Sequence, residues 1–338
     1  MAVYTSKDNP GIYFNTITYT GNGSATRTIT GAGFQPDLII NKDRGASNAH
    51  FVWDAVRGNN MALQTNDTVV DSNVTSDFGS GGMGSAASDG FNIVSGTSNS
   101  NNVNSSSNTF VAWCWKESAD SGMDIVTYTG NGSNRTIAHS LSAEPHWMLF
   151  KSRSDTYNWV SYQKTSGNNN GLVLNSTAAH DSGVGSSYFN STDPDSDDFS
   201  LGTAANMNGS SKTFVSYLFA PKQGFSQFGT YATNNDADGP FVFTGFRPAY
   251  LLLKVVAGNT GGWDIYDNKR ATGNGIIARL QANANSAEAT SDAVDLLSNG
   301  FKIRNTSGNQ NGSGDTIFYA AFAEAPFVNS NGVPCNAR

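Results

Sequence analysis

The sequence predicts an all-β protein made of three tandem antiparallel β-sandwich repeats, jelly-roll-like in architecture, and three observations lead there. Apolar runs are short and are separated by clusters of Asn, Ser, Thr and Gly, with 36 glycines in 338 residues. Strands joined by turns read that way. No segment sustains a helical period over about three turns. Finally, one ordered set of motifs occurs three times along the chain, and a repeat of that length outranks any local assignment.

Each copy opens on a related segment, Tyr19-Thr20-Gly21-Asn22-Gly23, Tyr128-Thr129-Gly130-Asn131-Gly132 and, in weaker form, Tyr231-Ala232-Thr233-Asn234. The pairs Asn22-Gly23 and Asn131-Gly132 predict hairpin turns, because both residue types tolerate the positive φ that a type I′ turn requires. Next comes an apolar block led by proline and closed by lysine. Pro36 and Lys42, Pro145 and Lys151, and Pro248 and Lys254 keep the same spacing in all three copies. A proline at the first residue of a buried strand loses no ladder hydrogen bond. Trp53, Trp159 and Trp263 follow and read as equivalent positions, then Phe91-Asn92-Ile93, Phe199-Ser200-Leu201 and Phe301-Lys302-Ile303. Each copy closes on an apolar strand, over 109–115, 213–219 and 316–322. One segment departs from the strand pattern: 286–295 is polar and reads as a short helix or turn on a surface connection. A sheet with one apolar face must cover it with a second sheet, which favours a sandwich over a closed barrel. The chain then divides into an N-terminal segment 1–10, repeat domains 11–118, 123–221 and 225–327, and a C-terminal tail 328–338. Linkers this short imply modules that touch.

Charge removes several classes of function. The 20 Lys and Arg against 27 Asp and Glu give a net charge of −7 and no basic stripe, so nucleic acid is not an expected partner. Nothing approaches the ~18 consecutive apolar residues of a membrane span, and no membrane insertion is expected. Met1-Ala2-Val3-Tyr4-Thr5-Ser6-Lys7 lacks the apolar stretch of a signal peptide, which predicts a soluble product made in a cytoplasm. Cys114 and Cys335 form neither a disulfide framework nor a metal-ligand spacing, and both are expected as thiols.

Catalytic constellations are missing from the sequence. His50, His139, His146 and His180 sit in unrelated contexts, and there is no nucleophile elbow or phosphate loop. Cys114 lies between Trp113 and Trp115 and reads as a packing residue. A glycan-degrading enzyme would need a carboxylate pair in a groove, and none stands out across the copies. The expectation is a protein that is not an enzyme. The run Asp193-Pro194-Asp195-Ser196-Asp197-Asp198 is the one candidate for inorganic chemistry, because Asp193, Asp195 and Asp197 alternate and can converge oxygens on Ca²⁺. It lacks the Gly and Glu of a complete EF-hand loop, since Phe199 opens the next strand, so a solvated acidic loop is the competing reading. No other cofactor is implied. The six tryptophans offer either sugar-stacking platforms or core; the recurrence of Trp53, Trp159 and Trp263 and the apolar setting of Trp113, Trp115 and Trp147 favour core.

The chain resembles the tandem-repeat structural and tail-fibre-like proteins of marine phages, notably those of cyanobacteria. The resemblance rests on Phe14-Asn15-Thr16-Ile17-Thr18-Tyr19-Thr20-Gly21-Asn22-Gly23, Gly33-Phe34-Gln35-Pro36-Asp37-Leu38 and Asp54-Ala55-Val56-Arg57-Gly58. The ending Ala320-Ala321-Phe322-Ala323-Glu324-Ala325-Pro326-Phe327 with Gly332-Val333-Pro334 supports it. The Asp54 to Gly58 motif has no intact counterpart after Trp159 or Trp263. The resemblance implies a virion protein, synthesised in a host bacterial cytoplasm: a tail fibre, appendage or knob component serving host attachment or particle architecture. A capsid decoration (cement) protein and a carbohydrate-binding module of a phage adhesin are the alternatives. Expected partners are other virion proteins, a host-surface glycan and further copies of the chain. A homo-oligomer is favoured because the polar stretches 95–108 and 328–338 would order only against neighbouring surface; the resemblance implies a homotrimer, although three repeats could also mimic a trimer within one chain.

Overall fold

Short apolar runs bounded by Gly, Asn and Ser form strands throughout the computed structural model, which describes residues 5–79, 81–97, 102–271 and 275–335. Parts of the N-terminal segment (1–4), of the polar stretch 95–108 (98–101) and of the tail (336–338) therefore lie outside the described residues. The fold is all-β, and every strand pairing among the described residues is antiparallel.

The first third of the chain supplies β1 (Phe14–Thr20), β2 (Arg27–Thr30), β3 (Leu38–Asp43), β4 (Phe51–Asp54), β5 (Met61–Gln64), β6 (Ser72–Asn73), β7 (Gly82–Ala87), β8 (Gly90–Val94) and β9 (Thr109–Trp115). A large sheet runs β1-β9-β3-β4-β5-β6 and a small one β2-β8-β7. The middle third supplies β10 (Met123–Thr129), β11 (Arg135–Ala138), β12 (Trp147–Ser152), β13 (Val160–Gln163), β14 (Asn170–Val173), β15 (Asp181–Ser182), β16 (Asp198–Leu201) and β17 (Thr213–Phe219). Its large sheet runs β10-β17-β12-β13-β14-β15, with β11-β16 as the small one. The last third supplies β18 (Ser226–Ala232), β19 (Phe241–Phe243), β20 (Phe246–Ala257), β21 (Trp263–Asp267), β22 (Gly275–Gln281), β23 (Ala289–Leu297), β24 (Gly300–Ile303) and β25 (Thr316–Pro326). They join in one sheet, β18-β25-β20-β21-β22-β23-β24-β19. In every third the opening strand pairs with the closing strand, and the closing strand pairs with the third strand.

The closing strands read as continuously apolar because both of their faces are covered. Side chains alternate across a strand, and on β9 Val111, Trp113 and Trp115 enter a central cluster that draws on all three thirds. Ala112 and Cys114, on the opposite face, belong to a separate cluster with Ile29, Phe91 and Ile93 from the small sheet. On β17, Val215, Tyr217 and Phe219 face the centre, while Leu218 joins Phe150, Phe199 and Leu201 outside. Phe14, Trp115, Phe219, Tyr250 and Phe322 meet ring to ring at the centre, with Trp115 to Phe322 centroids 5.7 Å apart and Phe219 to Phe322 centroids 5.8 Å apart.

The thirds are tied to one another by one backbone bond made three times. Asp71 N–H donates to Arg153 O (2.9 Å), His180 N–H to Val256 O (3.1 Å) and Glu288 N–H to Arg44 O (2.8 Å). First joins second, second joins third, and third returns to first, so the contacts close into a ring. Tryptophan adds to two of the joints: Trp159 Nε1–H donates to Gln64 O (2.8 Å) and Trp263 Nε1–H to Val173 O (3.1 Å).

Four expectations need correction. Asn22-Gly23 and Asn131-Gly132 are not hairpin turns, because β1 and β10 pair only with the closing strands β9 and β17. The chain instead passes from the large sheet to the small one, and a buried asparagine holds the crossing: Asn22 N–H donates to Asn104 Oδ1 and Asn131 N–H to Asn208 Oδ1. Gly21 and Gly130 are needed there because a Cβ would stand 2.0 Å from Ser105 O and 2.2 Å from Gly209 O. Trp53 is not equivalent to Trp159 and Trp263. Ile39 faces Trp53, whereas Met148 faces Tyr162 and Leu251 faces Tyr266. His50 takes the place of the two tryptophans, its N–H accepted by Asn66 as theirs are by Asn175 and Asn283. The prolines do not begin strands: Pro36 and Pro145 precede β3 and β12, and Pro248 sits at a register shift inside β20. Segment 286–295 is largely strand, since β23 starts at Ala289 and buries Ala293 and Val294.

Candidate functional site

The residues singled out for chemistry are held by structural contacts. Asp193 accepts a hydrogen bond from the Tyr162 hydroxyl (3.1 Å). Asp195 Oδ1 accepts the backbone N–H groups of Asp197 (2.8 Å) and Asp198 (2.9 Å), which lower its pKa. Asp193, Asp195 and Asp197 are thus not gathered on a common point, and among the described residues no group of three His, Cys, Asp or Glu is placed to hold a metal ion. All six tryptophans are buried, so none offers a face to a sugar. Cys114 is buried, and burial pushes its thiol pKa up. His50 is buried against Trp113, and burial, with Lys42 and Arg270 adding, holds its pKa well below the ordinary range.

Two Asp–Arg pairs brace the ring. Arg57 Nε donates to Asp54 Oδ2 (2.5 Å) with both side chains fully buried, and the Tyr217 hydroxyl reaches the same oxygen from the next third (2.7 Å). Asp54 and the neighbouring Asp71 hold the Arg57 guanidinium in its charged form. Arg270 and Asp267 repeat the arrangement, with Trp113 Nε1–H as the incoming donor (3.0 Å). Lys42, Lys151 and Lys254 are buried and donate to backbone carbonyls. Lys151 reaches Thr68 O (3.1 Å) and Lys254 reaches Thr177 O (3.0 Å), each in the preceding third. Burial pulls all three pKa values down to about 8.

Among the described residues, the edge strand β19 exposes two aromatic rings. On β19, Val242 is buried and pairs with Phe301, whereas Phe241 is 47% and Phe243 61% exposed. The corresponding pairings, Ile29 with Phe91 and Ile137 with Phe199, identify the matching outward positions as Thr28 and Thr30 on β2 and Thr136 and Ala138 on β11. All four are exposed. The last third therefore keeps the inward residue apolar and replaces small outward residues with two phenylalanines. β19 is also a sheet edge, pairing only with β24. Beyond it the chain turns at Gly245, whose φ of 80° suits glycine, with Thr244 and Gly245 N–H both accepted by Asn299 O.

Phe243 forms one wall of an open cleft of about 480 Å³. Gln223 and Gln227 line it from the start of the last third, Thr244 from the β19 turn, and Phe327 and Val328 from the chain's end. Phe327 is fixed there by its N–H to Gly245 O (3.1 Å), and Thr244 Oγ1 donates to Phe246 O (2.7 Å). Among the described residues the lining carries no charged side chain. Sequence reading passed over this site because it looked for tryptophan; the signal was Phe241-Val242-Phe243 standing where the other copies read Thr28-Ile29-Thr30 and Thr136-Ile137-Ala138.

A family model described as a domain of unknown function, DUF7483, matches residues 9–326. The chain belongs to the DUF7483 family. The DUF7483 match runs through all three thirds as one unit. No curated protein matches the chain. Among the described residues, no helix is long and apolar enough to cross a membrane.

Proposed function

We propose that the chain is a non-enzymatic structural protein of a phage virion, a tail-fibre, appendage or knob component, made of three tandem antiparallel sandwich repeats over 11–118, 123–221 and 225–327. The observation that carries the reading is the ring of equivalent backbone bonds from Asp71, His180 and Glu288. It builds within one chain the three-fold arrangement suited to a fibre or knob. The corresponding strand orders of the first two large sheets, with Ile29, Phe91 and Ile137, Phe199 of the small sheets packed across to them, support the sandwich repeat. Buried ionic groups that brace joints, rather than line a groove, support a role in architecture over one in catalysis.

Electron microscopy of intact particles with a bound antibody tests this. Label on an appendage or tail is the expected result. Label spread over the capsid shell would favour a decoration protein, and particles without label would sink the virion reading. Light scattering on the purified chain checks the accompanying proposal that it assembles further, with a trimer expected.

A further inference from the structure

We propose that the cleft beside Phe243 is a binding site for a neutral carbohydrate, with the Phe243 ring stacking on a sugar face and the Gln223, Gln227 and Thr244 side chains bonding its hydroxyls. The inference rests on the host-contact reading above. Isolated apolar residues on a surface are ordinary, but Phe241 and Phe243 are a pair on one face of a strand. The same outward positions of β2 and β11 carry Thr28, Thr30, Thr136 and Ala138, so the fold itself does not ask for aromatic rings there. Two rings were placed where the architecture is content with threonine. What Phe243 borders decides the ligand. The cleft, at about 480 Å³, lies within the ~300–1,000 Å³ typical of small-ligand sites, which pair apolar walls with a few polar groups. Here those groups are amides and a hydroxyl. The two amides can both donate and accept, as sugar hydroxyls require, the Thr244 oxygen can accept while its proton goes to Phe246 O, and an aromatic face suits the apolar face of a pyranose ring. A charged ligand would find no counter-ion among the described lining residues, and a net charge of −7 disfavours acidic sugars further.

Isothermal titration of the full chain with millimolar neutral oligosaccharides of glucose, galactose, mannose and N-acetylglucosamine tests the site, with uronic-acid oligosaccharides in parallel. At least one neutral series is expected to bind. Phe243→Thr, the residue β2 already carries at this position, is expected to weaken that binding at least about tenfold while leaving the melting temperature close to that of the unmodified chain. Saturation-transfer NMR on the unmodified chain is expected to show transfer from aromatic protons to the sugar, a readout that needs no variant to fold. Absence of neutral-sugar binding, binding of the acidic series alone, equal affinity in F243T, or no aromatic transfer would each overturn the assignment. So would an F241T/F243T variant that changes the light-scattering mass while no sugar binds, since a second copy would then cover the patch. Antibody label on the capsid shell would remove the host-contact role and leave the titration standing, so the two readings fail separately.

Discussion

Glu117 and Asp124 share a single backbone donor at the first joint of the chain: Ile125 N–H lies 3.1 Å from Glu117 Oε1 and 2.9 Å from Asp124 Oδ1. Burial, reinforced by the Asp124 carboxyl, pushes the Glu117 pKa up to about 7. A carboxyl raised in the folded state stays protonated after its unfolded counterpart has ionised, so it contributes stability below its unfolded value of about 4.5 that is lost as pH rises toward 7. The melting temperature of the protein relative to Glu117→Gln is therefore expected to fall across that window. A difference that stays flat from pH 4.5 to 7 would show Glu117 to be an ordinary solvated group. Phe91, on β8 of the small sheet and fully buried in the cluster that holds Ala112 and Cys114 of β9, offers a test of packing. Phe91→Ala is expected to cost about 3–5 kcal/mol in urea unfolding, and a loss under about 1 kcal/mol would place the ring at the surface. Residues such as Phe91, Val111 and Trp113 were legible as core because an apolar type in a short apolar run has few other places to go. His50 was not, because its position is fixed by a register that only the paired strands reveal.

Among the elements, the segment that follows the opening strand is held in each third by one buried asparagine, Asn104, Asn208 or Asn311, and in the first two thirds it carries the chain from the large sheet to the small one. Asn208 Nδ2 donates to Ser133 O (2.7 Å) and Gly202 O (2.8 Å) while its Oδ1 accepts from Asn131. Asn311 makes the corresponding bonds to Asp236 O and Asn305 O. An unsatisfied buried polar group costs about 1–3 kcal/mol, so Asn208→Ala is expected to lose roughly 2–3 kcal/mol, with an unchanged denaturant slope. A loss within error would mean that water replaces the amide. Strand existence was readable from apolar runs and turn residues, and so was the recurrence of the block from Pro36 to Lys42. The path between strands was not, because Asn-Gly permits a tight turn without requiring one, and the asparagine that decides the matter lies some eighty residues away in sequence.

For the whole molecule, the second face of each large sheet matters most. An exposed sheet face would alternate apolar and polar residues, but Trp147, Trp159, Tyr217 and Phe219 turn a wholly apolar face toward the centre. The middle third expressed alone, as 123–221, would leave those rings in water. It is expected to self-associate or to bind a hydrophobic dye, whereas the full chain is expected to melt in one calorimetric transition; three separable transitions would show that each third holds its own fold. That the family match spans 9–326 rather than one copy accords with the ring as the folding unit. The candidate cleft was invisible at this scale from sequence, since Gln223, Phe243 and Phe327 meet only once the chain's end returns beside β19.

A single chain can do to one of its joints what a homotrimer cannot, because identical subunits must repeat every contact. Asp54 and Asp267 each receive a donor from the adjoining third, but the matching position in the middle third is Gln163, whose amide turns to Ser161 within its own strand. Its opposite number on β25 is Ala320, which has nothing to offer. The joint between the second and last thirds thus lacks the buried carboxylate that receives a donor at the other two, and the circle has a clasp. Breathing motions should begin there. In hydrogen exchange the His180 amide, bonded across the clasp to Val256, is expected to exchange before those of Asp71 and Glu288. Equal protection of all three would mean that the aromatic centre alone keeps the circle shut.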